Sequence, residues 1–322
     1  MSEAKTWQGR TMGTTYNVQV THSYISDSDY KSIHHAIDSV LQKVNRQMST
    51  YDPQSEISRF NSHSGTDNFQ VSPAFIEVLQ TALTIYTDTQ GAFDITVAPL
   101  VNLWGFGTGG SIQKIPSDAE ISDLSKKIGS DKLYIVDSIH IQKKIPELQL
   151  DLGAIAKGYG VDVVSELIAD RGYQNYMAEI GGEVRVQGWN AQGKNWRIGV
   201  DLPEYAHLPG EKLHRVLSLH NVAVATSGDY RNFFTDQGRY YSHTIDPATG
   251  RPVQHGLASV TVIANSCMLA DALATAVMVM GPDRGLEYIE KMSDVEAMLL
   301  VRKSDGSFGE LQTKDFKNYI AQ

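Results

Sequence analysis

The stretch CMLADALATAVMVM, residues 267–280, is small and apolar throughout except for Asp271 and Thr275. A helix of this composition has no polar face, so we expect it to be buried, with other elements covering it on every side. Asp271 and Thr275 are four residues apart and therefore share one face of that helix. Asn265 or Ser266 is the natural N-cap, which places Asp271 too deep in the helix for a capping role.

The segments around this helix predict the fold class. Apolar residues at helical spacing predict earlier helices at residues 28–48, 73–90 and 156–171. Residues 176–262 read almost entirely as strands and turns, and residues 101–117 as a glycine-rich loop. Helices early and late with a long run of strands between them predict an α+β fold, not a regular βαβ alternation.

Composition sets outer limits on function. The chain has 322 residues, a formal net charge of −9 and one cysteine. The acidic balance argues against nucleic acid as the main partner. A single cysteine excludes an intramolecular disulfide and cysteine-ligated zinc. No apolar run reaches the roughly 18–20 residues of a membrane span, and we expect one domain over residues 10–322 behind a short leader, residues 1–9.

A buried carboxylate at Asp271 needs a cation or a proton, because an unpaired one costs several kcal/mol. No Lys or Arg lies between Arg251 and Arg284, so a salt-bridge partner would be distant in sequence. A metal ion is the alternative. One carboxylate and one hydroxyl are too few for calcium, but they suit Mg²⁺, whose shell is completed by waters and substrate phosphates.

Two stretches could approach a ligand with their backbone. In DLGAIAKGYGVD, residues 151–162, a strand ends at Asp151 and a helix begins after a glycine turn. The N–H groups at that helix start suit a phosphate, or a ribose held by the acid, unless Asp151 simply caps the helix and Lys157 is solvated. The GGE at residues 181–183 allows a close backbone approach or a plain hairpin turn.

Two further motifs are less specific. His243, in SHTIDPATGRP at residues 242–252, could be a base, a phosphate ligand or a structural histidine at a strand end. GFGTGG, residues 105–110, formally matches G-x-G-x-x-G. A dinucleotide fingerprint should open a helix, which Pro116 disfavours, so a flexible loop is the better interpretation.

Eight segments in this order resemble the FAD:protein FMN transferases, the ApbE flavin-transfer family. They run from Arg10 to Gly281 and are RTMGTTY, STYDPQSEISRFN, GAFDITVAPLVNLWGFG, LDLGAIAKGYGVD, EIGGEVRVQG, ATSGDYRNFF, YSHTIDPATGRP and ADALATAVMVMG. The resemblance implies an ApbE-like fold, with mixed and antiparallel sheets and packed helices in two intimately joined subdomains that hold FAD between them.

The resemblance also implies an enzyme that splits FAD, releases AMP and esterifies FMN to a threonine hydroxyl of a target protein. Its Mg²⁺ ligands would be Asp271, Thr275 and the carbonyl of Ala154. We expect His243 to orient or deprotonate the acceptor hydroxyl, with Asp271 as the second candidate base. The residues expected to line the FAD site are Met12, Tyr51, Ala92, Phe93, Asp94, Asp151, Lys157 and His243.

Two rival functions share these residues. One is an Mg²⁺-dependent FAD pyrophosphatase, in which water is the acceptor. The resemblance to the family implies that Tyr51 favours transfer over this hydrolysis. The other rival is a non-catalytic flavin-binding protein. Family acceptors carry a short Ser/Thr-rich motif and belong to electron-transport complexes such as the sodium-pumping NADH:quinone reductase. We expect a monomer on the periplasmic side of the bacterial inner membrane, a lipoprotein whose signal is absent here, or a cytoplasmic protein if the start is native.

Overall fold

The computed structural model describes residues 3–107, 115–204, 210–229, 233–236 and 239–322. Across those ranges the helices are α1 (Asp27–Met48), α2 (Glu56–Ser62), α3 (Pro73–Asp88), α4 (Ala98–Leu103), α5 (Asp118–Ser125), α6 (Ala156–Asp170), α7 (Cys267–Met280) and α8 (Pro282–Ile289). The strands are β1 (Glu3–Thr11), β2 (Thr14–His22), β3 (Phe69–Gln70), β4 (Leu133–Ile135), β5 (His140–Lys143), β6 (Tyr176–Ile180), β7 (Glu183–Gln187), β8 (Trp196–Asp201), β9 (Leu213–Leu219), β10 (Val222–Gly228), β11 (Phe233–Asp236), β12 (Arg239–Ser242), β13 (Ile245–Asp246), β14 (Arg251–Pro252), β15 (Leu257–Ala264), β16 (Glu296–Arg302) and β17 (Phe308–Gln312).

An eight-stranded sheet in the order β1-β2-β6-β7-β10-β15-β16-β17 forms the frame of the molecule. Each neighbouring pair within it is antiparallel. Smaller hairpins, β8–β9, β11–β12 and β13–β14, and the three-stranded sheet β3-β5-β4 surround it. The α+β class predicted from the sequence is confirmed.

The two faces of the sheet bury different layers, as alternation along β15 shows. Val260 and Val262 join the core that includes the side chains of α7, whereas Ile263 faces the opposite way. Ile263 packs with Trp196 and Leu217 of the β8–β9 hairpin. Helices therefore cover one face of the sheet and a β-hairpin covers the other. This explains why the side chains of β15 are buried on both faces.

Helix α7 lies at the centre of the helical layer. It packs on β10 and β15 beneath it and on α3, α6 and α8 around it. Ser266 caps it by accepting a hydrogen bond from the backbone N–H of Leu269, and Gly281, at φ 81°, ends it. The prediction that this apolar helix is buried is confirmed.

A second, smaller core lies beside the first. Leu100 and Trp104, near α4, pack with Ile121 of α5 and with Tyr241 of β12. The Trp104 indole N–H donates a hydrogen bond of 2.8 Å to the carbonyl of Gly250. A loop was predicted over residues 101–117, and this is wrong for residues 101–103, which lie in α4. Residues 108–114, which include the end of GFGTGG, lie outside the described residues.

The folded structure begins before residue 10, where the domain was predicted to start. β1 starts at Glu3 and pairs with β2 residue for residue, so residues 3–9, predicted as a leader, are part of the sheet. Trp7 in this strand is fully buried, which explains why the segment is ordered. Within the described part of the chain, no helix is long and apolar enough to cross a membrane.

Candidate active site

Two adjoining cavities lie between the helical layer and the smaller core. The larger has a volume of about 700 Å³ and the smaller about 410 Å³. Phe106, Asp151, Gly153 and Lys157 line both. A ligand too large for either cavity alone could therefore extend from one into the other past the start of α6.

The residues predicted for the FAD and metal sites come from distant parts of the chain, yet all of them line these cavities. Asp151 and Lys157 stand at the junction. Met12 and Tyr51 line the larger cavity, and Ala92, Phe93, Asp94, Ala154, His243, Asp271 and Thr275 line the smaller. The fold thus brings together all the residues predicted to contact FAD or the metal ion, while the role of each residue stays a prediction.

Asp271 is held by the first turn of α6. Its side chain is nearly buried, and Oδ2 accepts a hydrogen bond of 2.9 Å from the backbone N–H of Gly158. This N–H is one of those that a helix start leaves without an intrahelical partner. A Cβ atom at Gly158 would lie 2.3 Å from the carbonyl oxygen of Cys267, so glycine is what lets α6 approach α7 this closely.

Lys157 supplies the distant cation that a salt bridge to Asp271 would require. Its Nζ lies 3.9 Å from Asp271 Oδ1 and donates a hydrogen bond to Oε1 of Glu183. Burial opposes the charged form, but the carboxylates of Asp271 and Glu183 raise the pKa of Lys157 above its usual value. Lys157 is therefore a fixed ammonium at the cavity junction and not a freely solvated side chain.

The donor set around Asp271 fits a magnesium ion. Oδ1 receives no hydrogen bond from a described residue, and Thr275 lies one turn further along α7. The Thr275 hydroxyl is 3.1 Å from Ser227 Oγ of β10, and Ala154 lines the same cavity. The described residues contain no cluster of three or more His, Cys, Asp or Glu that could hold a metal. An ion bound at Asp271 would therefore have to take much of its shell from waters and substrate oxygens, as Mg²⁺ commonly does.

A second carboxylate fixes the N-terminus of α7. Asp162 of α6 accepts hydrogen bonds from the backbone N–H groups of Cys267 and Met268, at 3.0 and 2.8 Å. The same carboxylate forms a salt bridge of 2.7 Å with Arg185 of β7. The sequence analysis did not identify Asp162, because the helix start that it caps lies over a hundred residues further along the chain.

Two further acids of the site are tied to the loops that carry them. Asp94 accepts hydrogen bonds from Thr96 and Ser130, and Asp151 accepts one of 2.8 Å from the backbone N–H of Gly153. Burial raises the pKa of both carboxyls, against the lowering effect of these hydrogen bonds. The alternative in which Asp151 caps the helix is wrong, because the N-cap of α6 is Ile155 and no side chain caps it. Asp151 instead forms an Asx-type turn with Gly153 and borders both cavities.

The flanks of the cavities are formed by two tight turns and two aromatic side chains. Met12, in the β1–β2 turn, has φ 49°, a left-handed backbone conformation that residues other than glycine rarely adopt and that is found most often at functional sites. Gly181 and its neighbour adopt positive φ in the β6–β7 hairpin turn, as the GGE motif requires. Tyr51 is 78% exposed at the larger cavity, and the His243 ring lies 6.3 Å from that of Phe106 at the smaller one.

A model of the ApbE family matches residues 12–299, nearly the whole set of elements that line the cavities. The chain belongs to the ApbE family. An ApbE relative named FAD:protein FMN transferase, from Vibrio cholerae serotype O1, is 43% identical over 98% of this chain and 92% of its own length. The FAD:protein FMN transferase of Escherichia coli K12 is 33% identical over 99% of this chain and 90% of its own.

Solved ApbE structures share the fold. The flavin transferase ApbE from Vibrio cholerae superposes with a TM-score of 0.89 at 42% identity, covering 99% of this chain and 100% of that one. The apo form of the Pseudomonas stutzeri flavinyl transferase ApbE gives 0.89 at 36% identity, covering 100% and 98%. The ApbE-like fold implied by the sequence motifs is therefore confirmed.

Proposed function

We propose that this protein is a transferase that moves FMN from FAD to a threonine hydroxyl of a target protein and releases AMP. The observation that carries the proposal is the junction of two cavities at Asp151 and Lys157, with Asp271, Thr275 and His243 together in the smaller one. A dinucleotide that extends through both cavities would place its central pyrophosphate near that junction. Membership of a family whose relatives bear the name FAD:protein FMN transferase supports the same chemistry.

Mg²⁺ is the cation that we propose for Asp271 Oδ1, Thr275 Oγ1 and the Ala154 carbonyl. When bound, it would supply charge neutralisation on the pyrophosphate and on the leaving AMP. The protein's own contribution is to hold these oxygens on rigid elements. Asp271 and Thr275 project from a buried helix, and the hydrogen bond from Gly158 fixes the orientation of the carboxylate.

His243 is the base that we propose for the acceptor hydroxyl. The threonine oxygen forms a bond to the FMN phosphorus as the bond from that phosphorus to the AMP oxygen breaks, and His243 takes the hydroxyl proton. Asp271 is less suited to this role, because one oxygen accepts a hydrogen bond from the Gly158 N–H and the other would bind the proposed metal ion. His243, directly after β12, lines the same cavity as Asp271 and Thr275.

The acceptor and the location of the reaction are further parts of this proposal. Family resemblance supports an acceptor with a Ser/Thr-rich motif in an electron-transport complex, such as a subunit of a sodium-pumping NADH:quinone reductase. It also supports action on the periplasmic side of the bacterial inner membrane. Fractionation of the source cells, followed by detection of the protein in each fraction, would test the location directly.

One assay separates the proposed function from its rivals. The protein is incubated with FAD, Mg²⁺ and a recombinant domain that carries the acceptor motif; we expect a fluorescent flavin on the acceptor and one AMP per flavin attached. Asp271→Asn should lose AMP release, and His243→Ala should lose labelling. His140→Ala serves as the control and should behave as wild type, because His140 of β5 pairs with Asp137 and lines neither cavity.

The outcomes that contradict the proposal point to different rivals. Free FMN and AMP without a labelled acceptor would indicate an FAD pyrophosphatase. FAD that binds but is never cleaved would indicate a flavin-binding protein. AMP release that survives Asp271→Asn and is insensitive to a chelator would refute the metal part of the proposal and leave the transfer reaction standing.

A further inference from the structure

Glu183 is a buried acid that no step of the proposed mechanism uses. It begins β7 directly after the glycine turn and is only 4% exposed. One carboxylate oxygen, Oε1, accepts a hydrogen bond from Lys157, and the other, Oε2, is buried with no hydrogen-bond partner among the described residues. A buried, half-satisfied carboxylate is costly, so a residue of this kind calls for a role that offsets the cost.

Lys157 has two acidic neighbours and is bonded to one of them. Its ammonium contacts Glu183, whereas Asp271 Oδ1 is 3.9 Å away, beyond hydrogen-bond distance. The side chain is long and flexible, and a movement of about 1 Å would bring Nζ within hydrogen-bond reach of Oδ1. What keeps the ammonium on its present side is the fixed carboxylate of Glu183.

We infer that Glu183 is a positioning residue that holds the Lys157 ammonium away from Asp271 Oδ1 and so keeps this oxygen available to a divalent cation. The inference rests on the proposed function, because it concerns the cation proposed there. Three rigid elements set the arrangement: Glu183 lies at the start of β7, Lys157 in the first turn of α6, and Asp271 on α7.

The consequence is a competition between two cations for one carboxylate oxygen. With Glu183 in place, Lys157 is committed elsewhere and Oδ1 can accept a metal ion. With glutamine at this position the acceptor is neutral, and Asp271 becomes the stronger attraction for the ammonium. Lys157 would then move onto Oδ1 and must be displaced whenever a metal ion binds.

Binding of Mn²⁺ in place of Mg²⁺ tests this without relying on turnover. The free Mn²⁺ signal in electron paramagnetic resonance is titrated with protein in the presence of ADP, which supplies a pyrophosphate. We expect Glu183→Gln to weaken Mn²⁺ binding by about 10- to 100-fold, the range seen when residues that support metal ligands are changed. In the double variant Lys157→Met/Glu183→Gln, the affinity should return to within about threefold of Lys157→Met alone.

Glu183→Asp separates positioning from simple loss of charge. It keeps the negative charge but shortens the side chain by one methylene, so it can no longer hold Nζ where it lies; we expect weaker Mn²⁺ binding here too. Thermal unfolding of each variant establishes that it is folded at the assay temperature.

The possible failures are distinguishable. Additive effects of the Lys157 and Glu183 substitutions, or wild-type Mn²⁺ affinity in Glu183→Gln or Glu183→Asp, would overturn the positioning role and leave the proposed function intact. Binding of Mn²⁺ that is insensitive to Asp271→Ala, or no binding by wild type, would overturn the metal site and this inference together.

Discussion

Gly158→Ala is the substitution that most directly tests how the site is built. A Cβ added there would lie 2.3 Å from the carbonyl oxygen of Cys267 and 2.8 Å from Cβ of Asp271. Ordinary contacts between such atoms are about 3.4 Å or more, so α6 and α7 would have to separate by about 1 Å. The atom that must yield is helix backbone, which cannot rotate away as a side-chain end could.

The free energy of unfolding should fall by about 1.5–5 kcal/mol. Overpacking costs about 1–3 kcal/mol, and weakening the buried hydrogen bond from Gly158 to the Asp271 carboxylate costs about 1.5–3 kcal/mol. The gain in helix propensity from glycine to alanine offsets about 1 kcal/mol of this. A displacement of this size at the catalytic groups should also lower the turnover number by about 100-fold.

Cys267 makes the separation of the two helices measurable. It is the one cysteine in the chain, it is fully buried, and burial raises the pKa of its thiol, so the native protein should react very slowly with a thiol reagent. In Gly158→Ala we expect faster labelling below the unfolding transition and a lower urea midpoint. Gly160→Ala lies on the same helix, but its Cβ would contact only movable side-chain ends at 3.2 Å or more. Because the gain in helix propensity offsets this crowding, its free energy of unfolding should stay within about 1 kcal/mol of wild type. Equal stability and equal labelling rates in Gly158→Ala and Gly160→Ala would refute the view that Gly158 sets the close contact of α6 with α7.

Three other predictions follow from the site and its surroundings. Asp162→Asn breaks the salt bridge to Arg185 and weakens the cap on α7, so it should lower the free energy of unfolding by about 3–5 kcal/mol in urea titrations; a loss below 1 kcal/mol would contradict it. Burial, opposed by Arg302, raises the pKa of Asp229 to about 6. The native state therefore binds the carboxyl proton more tightly than the unfolded state does, and this contribution to the free energy of unfolding is lost as pH rises through 6. The stability of wild type relative to Asp229→Asn should therefore fall by up to about 3 kcal/mol from pH 4 to pH 7, and a difference that rises with pH would contradict the assignment. Tyr51→Ala should raise KM for FAD by about 2- to 10-fold through lost stacking, without changing the melting temperature, because the side chain is 78% exposed.

Local patterns predicted most of the secondary structure. Helices α1, α3, α6 and α7 and the run of strands from β6 to β15 follow from apolar spacing and glycine turns. The exceptions are segments ordered by distant partners. α4 forms where a loop was expected, because Leu100 and Trp104 are buried against β12 and the carbonyl of Gly250. β1 extends back to Glu3 because β2 offers a matching edge and a place to bury Trp7.

The sequence by itself determined that α7 is buried, that Asp271 and Thr275 share one of its faces, and that this carboxylate needs a cation or a proton. These properties depend on spacings of a few residues along one helix, which can be counted without knowing the fold. Only the tertiary structure decided which groups meet that face. The N–H of Gly158 reaches Asp271 across 113 residues, and Lys157 meets Glu183 across 26. Sheet register and the close crossing of α6 and α7 set these contacts, since a long, flexible lysine pairs with whichever carboxylate the packed backbone places within its reach.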